Sequence, residues 1–224
     1  MKQNFRSVLA VTAVIAGVAL VAILSEPISL EAQGQSADPS ESAVVLDGDL
    51  EQALERANTT PGDYDYDLSD RVVYAENADL QYPITLEEET WQSFLNDFEY
   101  YILREKGTER AFTHPLNNNT ERGTYYSRAT GQPLFHTDDK YDSGTGWPSF
   151  TKPISPDAIV YIEDNSLYSR RIEVVDSLSG SHLGHVFSDG PAPTGQRYCI
   201  NGAALVFVAE GEMPPPNFAL QAAQ

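Results

Sequence analysis

The alternation of apolar and polar residues changes character several times along this 224-residue chain. From Val8 to Leu24 the residues are almost all apolar and none is charged. From Gln33 to Tyr82 large aliphatics are scarce and Ser, Asp and Asn recur. A helical period then sets in. Trp91, Phe94, Leu95, Phe98 and Ile102 fall on one face, and Gly107 closes the predicted helix. Thr85 with Glu88 three residues later has the capping-box pattern for its start. From Gly123 onward the pattern is that of short strands. Tyr125-Tyr126, Pro133 to Phe135, Ala158 to Ile162, Arg171 to Val175, His185 to Phe187 and Ala203 to Val208 are β-rich, with Gly, Pro, Asp and Ser between them. The tail from Pro214 to Gln224 opens on three prolines and reads as flexible. The pattern predicts a mainly β domain with peripheral helices.

Charge sharpens the division. The net charge is −19, which excludes a broad basic face for nucleic acid or anionic lipid. Residues 33–82 carry 12 Asp/Glu against 2 Lys/Arg, whereas residues 83–213 carry 19 against 10. Composition makes 33–82 a solvated acidic linker, or else an arm that wraps the domain. Lys2 and Arg6 precede the apolar run, as in a secretory signal. The run is also close to the roughly 17–25 residues of a membrane span, so residues 1–32 are a signal peptide or an N-terminal membrane anchor. Either reading puts the rest of the chain outside the cytoplasm, periplasmic or otherwise extracytoplasmic. Residues 83–213 are the folded domain and 214–224 the tail.

An exported chain meets an oxidising compartment, yet Cys199 is the only cysteine. It cannot form an intrachain disulfide. Free Cys is often a small buried hydrophobe. Here it sits in Arg197-Tyr198-Cys199-Ile200-Asn201, downstream of His182-Leu183-Gly184-His185. A cationic neighbour and histidines favour a reactive thiolate.

Four segments now form a pattern: Arg104-Glu105-Lys106-Gly107-Thr108-Glu109-Arg110-Ala111-Phe112; Tyr141-Asp142-Ser143-Gly144-Thr145-Gly146-Trp147-Pro148-Ser149-Phe150; His182 to Phe187 with Asp189-Gly190-Pro191; and Arg197 to Asn201. In order and spacing, from about Thr85 to Glu212, they resemble the B-type methionine sulfoxide reductases. The resemblance implies a fold of two small antiparallel sheets with the nucleophile on a central strand. It implies reduction of the R epimer of methionine sulfoxide in oxidised proteins or peptides. Cys199 would be the nucleophile and Arg197 would favour its thiolate. His182, His185 and Asn201 would position or protonate the sulfoxide oxygen, and Trp147 would receive the substrate methyl group. A sulfoxide asks for such a site on its own chemistry: a soft nucleophile, proton donors on one side and an aromatic wall on the other.

Two departures stand out. Many members carry two Cys-x-x-Cys pairs for structural zinc. In register, this chain has Ser127, Thr130, Asp176 and Ser179, so no metal is expected and the β core should rest on packing alone. Where members often have a second, resolving cysteine, this chain has Thr145. It should need no cofactor except an external thiol, from thioredoxin, glutaredoxin or a similar donor, and act as a monomer. Plainer roles stay open: His185 as a hydrogen-bonded structural residue, Trp147 as a core plug, Arg197 paired with a surface carboxylate, Asn201 capping a turn. So do two other classes, a retired β domain used as a binding module and a cysteine hydrolase with a Cys–His–Asn set.

Overall fold

The computed structural model describes residues 43–45, 71–167 and 169–222. The signal or anchor reading of 1–32 and most of the acidic segment lie outside the described residues. Twelve strands are described: β1 (Ala43–Val45), β2 (Val73–Tyr74), β3 (Ile84–Leu86), β4 (Gly123–Ser127), β5 (Pro133–His136), β6 (Lys140–Tyr141), β7 (Ser149–Phe150), β8 (Ile159–Asp164), β9 (Arg171–Asp176), β10 (His182–Phe187), β11 (Arg197–Ile200) and β12 (Leu205–Ala209). Three short helices accompany them: α1 (Glu88–Phe94), α2 (Asp97–Leu103) and α3 (Phe218–Ala222).

The fold is mainly β, as expected, and one sheet is larger than expected. Seven strands run in the order β2-β8-β9-β10-β11-β7-β6, three in the order β12-β4-β5, and β1 pairs with β3. All pairs are antiparallel except β2 with β8. One core joins the two larger sheets. Phe135 of β5 stacks on Phe150 of β7 at 4.4 Å between centroids, and Tyr125 of β4 meets Phe150 edge-on at 5.0 Å. Each large side chain buried this way contributes roughly 1.5–3 kcal/mol.

Three expectations need correction. The predicted single helix is two. Leu95 is extended at φ −91, ψ 138, so α1 stops at Phe94. The capping box belongs to Asn96 and Glu99, not to Thr85 and Glu88. The Asn96 side chain accepts from the Phe98 and Glu99 amides, and the Glu99 carboxylate accepts from the Asn96 amide. Thr85 lies in β3, and Glu88 binds Arg104 instead. Restarting the helix at Asn96 turns Phe98 outward, where it is 49% exposed, while Trp91, Leu95 and Ile102 stay buried. Second, the structured domain begins before residue 83: β2 adds to the sheet edge and Val73 packs on the core. Third, the tail read as flexible carries a helix. The prolines lead into α3, which lies against α1 and β3 and buries Ala219.

Candidate active site

Strand alternation aims the sulfur. In β11, Tyr198 and Ile200 are fully buried and Arg197 and Cys199 are half-buried on the other face. The buried pair is locked by packing, and the Tyr198 hydroxyl meets that of Tyr161 at 2.8 Å. β11 lies between β10 and β7, so Cys199 has His185 opposite it on one side and Ser149 on the other. His185 in turn stands opposite Glu173 of β9.

Two histidines three residues apart should point to opposite faces of a strand. A bulge between His182 and Gly184 resets the register. Their rings then meet edge-to-face at 5.5 Å. Gly184 lets β11 approach this closely: a Cβ there would lie 2.1 Å from the Cys199 carbonyl oxygen. Each histidine is fixed by a carboxylate. His182 Nδ1 is 2.8 Å from Glu173 Oε1, and His185 Nε2 is 2.7 Å from Asp164 Oδ2. A carboxylate only accepts, so those ring nitrogens carry the protons. That leaves His182 Nε2 buried with no hydrogen-bond partner among the described residues. Both rings border a cavity of about 270 Å³ also lined by Glu173, Asp164, Lys106 and Thr108.

Burial would raise the Glu173 carboxyl, but hydrogen bonds from His182 and from Lys106 at 2.8 Å outweigh it and hold the group below its usual range. Asp164 is likewise held well below the carboxylate range: bonds from Ser166 and His185 and the Arg171 charge overcome burial. Burial lowers His185, and the Arg171 and His182 charges add to that against the Asp164 bond.

Burial pushes the Cys199 thiol up, opposed by the Arg197 charge and by Thr145, whose Oγ1 lies 4.0 Å from the sulfur. Arg197 itself is clamped by Asp189 through two bonds of 2.9 Å and lies over the Phe187 ring at 4.3 Å. It therefore does pair with a surface carboxylate, and it faces the sulfur as well.

Trp147 and Asn201 meet through a residue the sequence reading quoted without a role. Glu109 is buried, and each of its polar groups has a partner. Its amide donates to Asn201 Oδ1 at 3.0 Å and its carbonyl accepts from Trp147 Nε1 at 3.1 Å. Its carboxylate accepts from the Gly202 and Ala203 amides at 2.7 and 2.9 Å. Asn201 Nδ2 donates to the Leu183 carbonyl. Asn201 thus ties the loop at Glu109 to β10 beside the histidines. It makes no side-chain cap for the single 3-10 turn, Gly202–Ala204, that follows it.

Residues 95–209 match the SelR domain, just over half of the chain. The chain belongs to the SelR-domain, or MsrB, family. The peptide methionine sulfoxide reductase MsrB of Methanosarcina mazei is 55% identical over 130 residues, covering 58% of this chain and 93% of that protein. The protein of the same name from Leptospira interrogans is 47% identical over 131 residues, covering 58% of this chain and 100% of its own. A Vibrio cholerae protein named peptide methionine sulfoxide reductase MsrA/MsrB is also 47% identical over 131 residues, which make up 58% of this chain and 35% of the longer protein.

In this MsrB-family domain the four positions Ser127, Thr130, Asp176 and Ser179 come together as a hydrogen-bonded cluster. All four are buried. Asp176 Oδ1 accepts from Gln132 Nε2 at 2.8 Å and from the Leu178 and Ser179 amides at 2.8 and 3.2 Å. Its Oδ2 accepts from the Thr130 hydroxyl at 2.7 Å. Burial pushes the Asp176 carboxyl up despite these donors. Packing alone was the expectation. The structure corrects it, because a buried carboxylate here draws donors from two turns of chain, β4–β5 and β9–β10.

Glu109, Glu173 and Asp164 are the site residues that sequence reasoning missed. Glu109 lay inside a quoted motif, which was a usable signal. Glu173 and Asp164 had none, since only the strand register brings them to the histidines.

Proposed function

We infer that this chain is a peptide-methionine (R)-S-oxide reductase, an oxidoreductase that returns methionine-R-sulfoxide in proteins to methionine. The observation that carries the mechanism is the cross-strand pairing of His185 with Cys199, the sole thiol, with the His182 ring packed edge-on against His185 and its Nε2 unpartnered among the described residues. Cys199 attacks the sulfoxide sulfur as thiolate. A proton reaches the oxygen from His182 or His185, directly or through water. The S–O bond breaks as the oxygen becomes bonded to the Cys199 sulfur, the transient S–S bond breaks with its electron pair going to the departing methionine, and Cys199 is left as a sulfenic acid. A first external thiol condenses with it, releasing water and forming a mixed disulfide. A second thiol frees Cys199. The donor is external because no other cysteine exists in the chain. The site is completed within one chain, which supports a monomer.

The hydrolase reading loses its support in the hydrogen bonds. Its asparagine would orient a histidine, yet Asn201 is committed to backbone and both histidines are held by carboxylates. Lys2, Arg6 and the apolar run 8–24 support export of the catalytic domain. A reporter fused after Leu46 that worked in the cytosol, from a soluble N-terminus, would refute export. For the activity, the protein is incubated with each epimer of a methionine sulfoxide peptide and dithiothreitol. Turnover of R alone is expected. Peptide cleavage, or no turnover of either epimer, overturns the assignment.

A further inference from the structure

Three hydroxyls run in a line away from the sulfur. Thr145 Oγ1 is 4.0 Å from Cys199 Sγ. Ser143 Oγ is 2.8 Å from Thr145 Oγ1 and 2.8 Å from Ser149 Oγ. Ser149 Oγ reaches the Trp147 carbonyl at 3.1 Å. A hydroxyl has one proton to donate, and a carbonyl has none. When Ser149 donates to the carbonyl, Ser143 must donate to Ser149, Thr145 to Ser143, and the Cys199 thiol to Thr145. The far end of the line thereby fixes the direction at the sulfur.

The reverse arrangement has Ser149 donating to Ser143, Ser143 to Thr145, and Thr145 to the sulfur. The first suits a thiol, which has a proton to give. Only the second suits a thiolate, which accepts alone. Because the line ends on a carbonyl, it cannot carry the thiol proton away. That proton leaves to water on the exposed side of half-buried Cys199. The hydroxyls keep their own protons and rotate.

We propose that Thr145, backed by Ser143 and Ser149, receives and holds the Cys199 thiolate, the three hydroxyls reversing direction as the sulfur ionises. This rests on Cys199 being the reacting thiol and adds the groups that stabilise it. Thr145 touches the reacting atom. Ser143 and Ser149 are positioning residues that act through it. The line works among other groups facing the sulfur: His185 from β10 with Asp164 and Glu173 behind it, Arg197 with Asp189, and Tyr141 from β6. Reversal costs the bond to the Trp147 carbonyl, while Ser143 keeps the Thr145 amide as a donor at 3.4 Å throughout.

The test is the pH dependence of Cys199 alkylation by iodoacetamide in the reduced full-length protein. The chain has one cysteine, so the rate reads one sulfur. Thr145→Val should move the midpoint up by on the order of half to one pH unit. Ser143→Ala should move it the same way by less, and Thr145→Ser should restore the wild-type midpoint. If Thr145→Val does not fold by circular dichroism, Thr145→Ala gives the same reading. An unchanged midpoint in the Thr145 variant overturns the proposal. A shift there with none in Ser143→Ala leaves Thr145 acting alone and removes the line. The readout does not use sulfoxide reduction, so its failure is distinct from a wrong nucleophile, which shows as activity in Cys199→Ser.

Discussion

Strand β9 carries two buried carboxylates, Glu173 and Asp176, and the polar clusters around them follow opposite rules. Around Asp176 the donors come from Thr130, Gln132 and the amides of Leu178 and Ser179, and none of these side chains leaves a buried polar atom unpaired. Around Glu173 the pairing stops short. His182 gives Nδ1 to Glu173 and leaves Nε2 alone. On the far side of Cys199, Tyr141 of β6 has a buried hydroxyl without a partner among the described residues, and Phe112, bonded through its amide to Gly146 next to Trp147, is held at φ 65. An unpaired buried donor or acceptor costs about 1–3 kcal/mol, and left-handed backbone in a bulky residue costs a similar order. A domain that can satisfy one cluster fully has the means to satisfy both. Much of that cost stands on the face that carries the thiol, where an unpaired His182 Nε2 is able to take up and give back a proton, although Trp91 Nε1 in α1 is unpaired too.

The sharpest way to break the comparison is to remove the thiol. Cys199→Ser should abolish reduction of the R epimer while the melting temperature stays within a degree or two of wild type, since the change is isosteric at a half-buried position. Residual turnover would mean that the unsatisfied cluster is not a reaction site. Asp176→Ala should do the reverse. It strands four donors at once and should cost about 3–5 kcal/mol of stability, read by denaturant unfolding. The activity of the fraction that stays folded should be unchanged. A fall in kcat/KM with no fall in stability would show that the two clusters are coupled.

The site was more legible in the sequence than the cluster that braces it. Cys199, Arg197, Trp147 and the two histidines lie in short motifs, and side-chain chemistry is local. Asp176 and its partners read as four missing thiols, hence as an absence. What replaced them depends on Gln132, two residues past Thr130 but silent in any motif, and on the pairing that brings its turn to Asp176. The same holds within the site. His182 and His185 could be named, but not that a bulge brings both to one face, because a bulge is a property of the pairing between β9 and β10. The helix failed for a different reason. The apolar period ran correctly through Trp91, Leu95 and Ile102, yet the period carries no record of the break that Asn96 and Glu99 impose. Mainly β architecture was legible because alternation and turn residues recur over the whole C-terminal half.

Glu173 tests whether the unsatisfied cluster depends on its own carboxylate. Glu173→Gln keeps the shape but lets the amide donate to His182 Nδ1, which favours the wrong tautomer. A loss on the order of 10²-fold in kcat/KM is expected, by analogy with other carboxylate–histidine pairs. The pH dependence of stability gives a second readout. The folded-state pKa of Glu173 is depressed by His182 and Lys106 against burial. Its contribution is therefore complete above the unfolded-chain value near 4.3 and is lost as pH falls through the lower folded value. The variant should lack that acid-side loss. Equal acid sensitivity in both proteins would remove Glu173 from the account.

Arg197 should give the smallest effect, and it separates charge from clamp. Its partner Asp189 is exposed, so the pair itself adds about 0.5 kcal/mol or less to stability. What matters is a positive charge facing Cys199, one of the groups that oppose the burial of the thiol. Arg197→Lys keeps the charge and loses the two-point bond to Asp189 and the stacking on Phe187. Arg197→Ala loses all three. If charge is the working part, the alkylation midpoint of Cys199 should rise in the alanine variant and hold near wild type in the lysine variant. High salt should narrow the difference only a little, because a half-buried charge is screened much less than an exposed one. If lysine and alanine behave alike, the clamp matters and the guanidinium acts by fixing the end of β11, which would place Arg197 with the bracing residues of the Asp176 cluster and not with the site.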